Sequence, residues 1–162
     1  MPQRDFGYDV PTMNRLPPVT RALLIANVAI FIVQQLTGNL LIGPFALWPF
    51  ATPEFRGAPG FAIWQLLTYG FLHGSLTHLF FNMFALYMFG GEIERLFGAR
   101  RFLVYFLACV VGAAVAQLVV LSVMNRPPVP TVGASGGVFG LLLAYGLAFP
   151  QRKLMLLFPP IP

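Results

Sequence analysis

Residues 73–98 read HGSLTHLFFNMFALYMFGGEIERLFG, and they decide what kind of molecule this is. From Leu76 to Phe97 the run is apolar and long enough to cross a bilayer core, which takes roughly 20 residues at about 1.5 Å each. It is interrupted at its start by His78 and Asn82, and at its far end by Glu92, Glu94 and Arg95. A spacing of four stacks His78 and Asn82 on one helix face, about 6 Å apart along the axis. Polar side chains at membrane depth are costly, so each is a candidate functional residue. The alternative is a pair that holds two helices together by hydrogen bonds, and the spacing alone leaves both readings open.

Working outward, three more apolar runs accompany this one: about residues 20–36, 102–123 and 132–149. A further apolar run starts after Gln151, Arg152 and Lys153. The whole chain of 162 residues is 57% hydrophobic and 9% charged, against about 25% charged in ordinary soluble domains. The expected fold class is therefore all-α, a polytopic transmembrane helical bundle with about four spans. The first 19 residues carry prolines and no apolar core, so they read as a cytosolic tail rather than a signal peptide. Residues 20–162 form the membrane domain. The net charge of +5 comes with no basic run or RNA-stacking motif, which argues against nucleic acid. The single cysteine, Cys109, excludes an internal disulfide framework.

With the N-terminus in the cytoplasm, the inner segments hold Arg4, Arg15, Arg21, Arg95, Arg100, Arg101, Arg152 and Lys153, and the outer segments only Arg56 and Arg126. That bias follows the positive-inside rule. The outer segment from Gly38 to Ser75 is too apolar for a solvated loop, yet Pro44, Pro49, Pro53 and Pro59 break it. It reads either as a substructure lying partly in the outer leaflet or as an ordinary extracellular loop. Trp48, Trp64 and Tyr69 suit the headgroup level.

The fourth run opens TVGASGGVFG (131–140), with Ser135 at about the depth of His78 and Asn82. A lone helix serine usually bonds the preceding turn. Here Gly133 and Gly136 bare the backbone around it, leaving N–H groups open to a ligand oxygen at a helix N-terminus. The same residues fit the G-x-S-x-G elbow of α/β-hydrolases, but that fold needs a strand before the serine, and Pro130 and a membrane helix flank this one. Small residues then recur at Gly136, Gly140, Ala144 and Ala148, a stripe that expects a closely packed helix. Its partner is expected to be a helix beyond those in the chain. Glu92 and Glu94 are expected to knot with Arg95, Arg100 and Arg101 at the inner interface.

The run from His73 to Gly98 followed by GASGG resembles the rhomboid family of intramembrane serine proteases, over about Pro17 to the end of the chain. The resemblance implies that Ser135 is the nucleophile and that His78 and Asn82 help bind the oxyanion. It implies structural roles for His73, Glu94, Gly133 and Gly136. Trp64-Gln65 stands where the family often has Trp-Arg. No metal or other cofactor is implied. The partners implied are transmembrane protein substrates and the lipid bilayer. The simple short tail points to a multi-pass protein of a bacterial plasma membrane. The family core has six helices with its general-base histidine on the sixth. This sequence has only His73 and His78, so it is expected to be an incomplete, inactive rhomboid domain lacking the last helices. A non-catalytic rhomboid-like protein that binds transmembrane clients is the alternative. A transporter is disfavoured, because no paired broken helices recur in two halves.

Overall fold

Pro17 and Pro18 close the tail, and Pro18 opens the first long helix at the position where a missing N–H costs nothing. The structure is a computed structural model that describes residues 16–50, 59–124 and 129–152. The first fifteen residues of the expected tail, Pro53, Arg56, Arg126 and Lys153 with the apolar run behind it lie outside the described residues. Six α-helices are described: α1 (Pro18–Leu36), α2 (Ile42–Phe45), α3 (Gln65–Thr68), α4 (Leu76–Phe97), α5 (Ala99–Met124) and α6 (Ser135–Ala148). Among the described residues there is no strand beyond one isolated antiparallel bridge, Leu47 with Thr131.

The four long helices coincide with the four expected runs. Ser75 caps α4, its hydroxyl accepting from the His78 N–H at 3.1 Å. Gly98, at φ +78°, ends α4 and lets α5 begin at once. By length and composition alone α1 and α5 can cross a membrane. Helix α4 is more polar than these, with His78 and Asn82 near its start and Glu92, Glu94 and Arg95 near its end. With 14 residues, α6 is about 21 Å long, shorter than its expected run. The reason lies in the backbone before it. Thr131 pairs with Leu47 through two hydrogen bonds of 2.9 and 3.0 Å, and the Gly133 N–H donates to the Tyr69 carbonyl at 2.9 Å. Residues 131–133 are thus committed elsewhere, and the helix starts at Ser135 itself.

Helix α6 packs on α5 and α4, and α1 packs on α4. The core runs through Leu86 and Ile93 of α4, Phe102, Phe106 and Val110 of α5, and Leu141 of α6, all nearly or wholly buried. The outer surface is apolar too. Ile32, Phe81, Val119 and Phe139 stand 53, 63, 58 and 70% exposed on four different helices. A soluble monomer does not carry such patches on every side, whereas a bilayer solvates them.

The stripe expectation needs correcting. A Cβ on Gly136 would stand 2.5 Å from the Ala113 Cβ, and one on Gly140 would stand 2.3 Å from the Cys109 Sγ. Helix α5 already fills that face, and Tyr105 adds a 2.6 Å bond from its hydroxyl to the Gly140 carbonyl. The charge knot also differs. Glu92 pairs with Arg152, and Glu94 turns to α1.

Candidate active site

Three of the expected site residues, His78, Asn82 and Glu94, lie on α4, two near its start and one near its end. At the end nearer Ser75, His78 and Asn82 share a face as their spacing requires. Asn82 is buried, and its Nδ2 donates to the His78 carbonyl at 2.9 Å, which aims the amide back along its own helix. Among the described residues neither side chain bonds another helix. The His78 ring meets two other things. It packs edge-on to His73, with ring centroids 5.1 Å apart. It also lies against Gly133, where a Cβ would stand 2.5 Å from its Cε1 and 2.7 Å from its Nε2. Gly133 takes φ +128°, a conformation that L side chains avoid. Glycine is therefore required there twice, for its backbone and for the close approach of the imidazole.

Ser135 follows two residues later, half-buried at the first position of α6. Its hydroxyl has no hydrogen-bond partner among the described residues. Gly136 beside it faces α5 and the Tyr69 hydroxyl, 3.2 Å from its virtual Cβ. The structure therefore gathers His73, His78, Gly133 and, through the chain, Ser135 in one layer, with Asn82 one turn along α4.

Glu94 is elsewhere. Twelve residues along α4 from Asn82 is about 18 Å, and there its buried carboxylate accepts from Val19 N at 2.9 Å, Thr20 N at 2.6 Å and Thr20 Oγ1 at 2.8 Å. An anion at these otherwise unpaired N–H groups caps α1 from a different helix.

His73 sits in the turn before α4, fully buried, with neither ring nitrogen hydrogen-bonded among the described residues. Burial, with His78 beside it, holds its pKa down at about 4. Its backbone is pinned by Gln34 of α1, which donates to the His73 carbonyl at 2.8 Å and accepts from its N–H at 3.1 Å.

Three residues hold backbone in and around this layer, a role the sequence reading gives to none of them. Gln34 is one. Tyr69 is the second: it is buried, its carbonyl holds Gly133, and its hydroxyl donates to the Val110 carbonyl at 2.7 Å. Burial raises its pKa to about 12. Of the three aromatics expected at the headgroup level, Trp64 is exposed, whereas Tyr69 and Trp48 are packed inside the protein. Gln65 is the third. It stands where the resemblance implied an arginine, and it accepts from Trp48 N and Ala62 N, both at 3.2 Å, while donating to Pro44 and Gly60 carbonyls. With Trp64 bonded to Pro44 and Thr68 to Phe45, the described part of the outer segment is a built substructure. The signal for all three was a polar atom in an apolar stretch. Among the described residues there is no cluster of side chains suited to a metal ion.

Comparison with known proteins gives the same direction. The family model described as the Rhomboid domain matches residues 60–162. A rhomboid protease GlpG of Yersinia pestis (strain Pestoides F) is 27% identical over 104 residues, 64% of this chain and 36% of that protein. A rhomboid protease GluP of Bacillus subtilis (strain 168) is 40% identical over 95 residues, 57% of this chain and 17% of that one. The matched part is thus little more than a third of the length of the curated relatives at most.

Proposed function

The chain belongs to the rhomboid family, and from that premise we propose that residues 1–162 carry the nucleophile and the oxyanion-binding groups of an intramembrane serine protease acting on transmembrane segments. The observation that carries this reading is the seating of Gly133 on the His78 ring, which brings the loop ending in Ser135 onto α4. In this scheme Ser135 Oγ attacks a peptide carbonyl, and the carbonyl oxygen takes the negative charge. His78, the second N–H of the Asn82 amide and the Ser135 backbone N–H donate to it. Each such donor in a low-dielectric site contributes about 3–4 kcal/mol. The C–N bond breaks as the leaving amine takes up the proton removed from Ser135, and water then hydrolyses the acyl-enzyme. No metal or organic cofactor takes part.

Depth supports the reading. At about 21 Å, α6 falls short of a bilayer core of about 30 Å. With its last turn at the inner interface beside Arg152, Ser135 lies below the outer surface, within reach of a substrate helix in the bilayer. The distribution of basic residues supports a cytoplasmic N-terminus.

Serine is a weak nucleophile until a base stands within about 3 Å. We assign His78 to the oxyanion and His73, pinned and buried, to structure. The proton then goes to the histidine that the family carries on its sixth helix, a group residues 1–162 do not supply. A fluorophosphonate probe tests this. In a chain where these residues are followed by family helices bearing that histidine, Ser135 should label, and Ser135→Ala should not. The 162-residue chain should label poorly. Absence of labelling in the extended chain would overturn the assignment. Strong labelling of the short chain, lost in His78→Ala, would make His78 the base instead.

A further inference from the structure

Arg100 and Arg101 stand in the first turn of α5, exposed, with no hydrogen bond or ion pair among the described residues. That is an unfavourable place for cations, because the first turn of a helix carries partial positive charge, and this turn contains no acidic residue. Two guanidinium groups in such a position call for an anion from outside the chain. Above them an open groove of about 520 Å³ is lined by the same two arginines with Val104, Tyr105 and Ala108, within the range of about 300–1,000 Å³ that small-molecule sites occupy. The residues share one helix face, so the groove is cationic for its first turn and apolar for the next two. Helix α5 is apolar and long enough to cross a bilayer. Its first turn then falls at headgroup level, and Val104 and Ala108 fall at the level of the acyl chains.

We propose that Arg100 and Arg101, with the wall formed by Val104, Tyr105 and Ala108, bind the phosphate of an anionic phospholipid whose acyl chain runs along α5. The guanidinium forks match phosphate oxygens in pairs. The small side chain of Ala108 leaves room for the chain beside the exposed Val104. The Tyr105 hydroxyl is turned inward onto Gly140, which leaves its ring as part of the wall. The site is independent of Ser135 and its chemistry.

Native mass spectrometry of the 162-residue chain, released from bilayer discs containing equal phosphatidylglycerol and phosphatidylcholine, tests it. The wild-type chain should retain phosphatidylglycerol in preference. R100Q/R101Q should lower that retention about tenfold or more, since each cation near the membrane surface contributes measurably to anionic lipid binding. Ala108→Phe, which fills the groove and leaves the charge unchanged, should lower it as well. Arg4→Gln/Arg15→Gln, which removes equal charge from the tail, should leave it unchanged. An equal loss in the tail variant, unchanged retention in Ala108→Phe, or no preference in the wild type would overturn the proposal. So would displacement of the lipid by inorganic phosphate at matched concentration, because a headgroup anion alone would then suffice.

Discussion

Gly133 and His78 touch so closely that no side chain fits between them: a Cβ on Gly133 would stand 2.5 Å from the imidazole Cε1. The contact joins the serine loop to α4 with no hydrogen bond between the two residues. It also gives Gly133→Ala two separate faults, the clash and a φ of +128°. Backbone strain of this kind costs about 1–3 kcal/mol, and overpacking adds a similar amount. The variant should melt earlier in detergent. His78→Ala introduced beside it should recover the part due to the clash but not the part due to φ. Full recovery, or none, would show that only one fault operates.

At the opposite end of α4, Glu94→Gln keeps size and shape but replaces one acceptor oxygen with an NH₂ group. Val19 N and Thr20 N bond different oxygens of the carboxylate, so one N–H must then face a donor. A loss of about 1–3 kcal/mol follows from a buried donor left unpaired. Thermal unfolding should register it. Thr20→Val, which removes the 2.8 Å hydroxyl bond and leaves the two N–H bonds in place, should cost less.

His73 makes stability depend on pH. In the unfolded chain it takes a proton below about 6.5, whereas in the fold it resists until about 4. Between those values the unfolded state binds more protons, so stability falls as pH falls. The full loss approaches roughly 3 kcal/mol when the pH has dropped through both values. Denaturation midpoints measured from pH 7 to pH 4 should decline. In His73→Phe this contribution should disappear, whatever the variant's stability at pH 7. A variant with the same slope as the wild type would assign the pH dependence to another group.

The pairing of α5 and α6 can be tested at Gly140. A Cβ there would meet the Cys109 Sγ at 2.3 Å and its Cβ at 2.7 Å, so Gly140→Ala should destabilise by about 1–3 kcal/mol. Cys109→Ala removes the nearer atom and should restore part of the loss. The interaction energy of the double-mutant cycle is then the measure of that contact.

Much of this was legible in the residues. The apolar runs marked the four long helices, and the spacing of His78 and Asn82 fixed their shared face. The glycines around Ser135 read in the sequence as baring backbone N–H groups to a ligand oxygen, but the Gly133 N–H is bonded to the Tyr69 carbonyl and both glycines serve close packing. Gly133 is required by the His78 ring, Gly136 by Ala113. The small-residue stripe announced a close neighbour without naming it, because such a pattern carries distance and no identity. That neighbour is α5. Tyr69, Gln34 and Gln65 act by bonding backbone groups of distant segments, or by offering their own, and backbone partners leave no trace in side-chain patterns. The late start of α6 has the same origin, since Thr131 looks like the beginning of a helix until Leu47 claims it.

The cap on α1 also bears on how the molecule is made. Synthesis delivers α1 first, and the carboxylate that satisfies Val19 N lies 75 residues later in the chain. Until α4 arrives, the opening turn of α1 has only water or headgroups to bond. The first helix therefore cannot settle fully into its final place alone. Its anchoring has to wait for α4 and is completed only with Glu94 at the correct level.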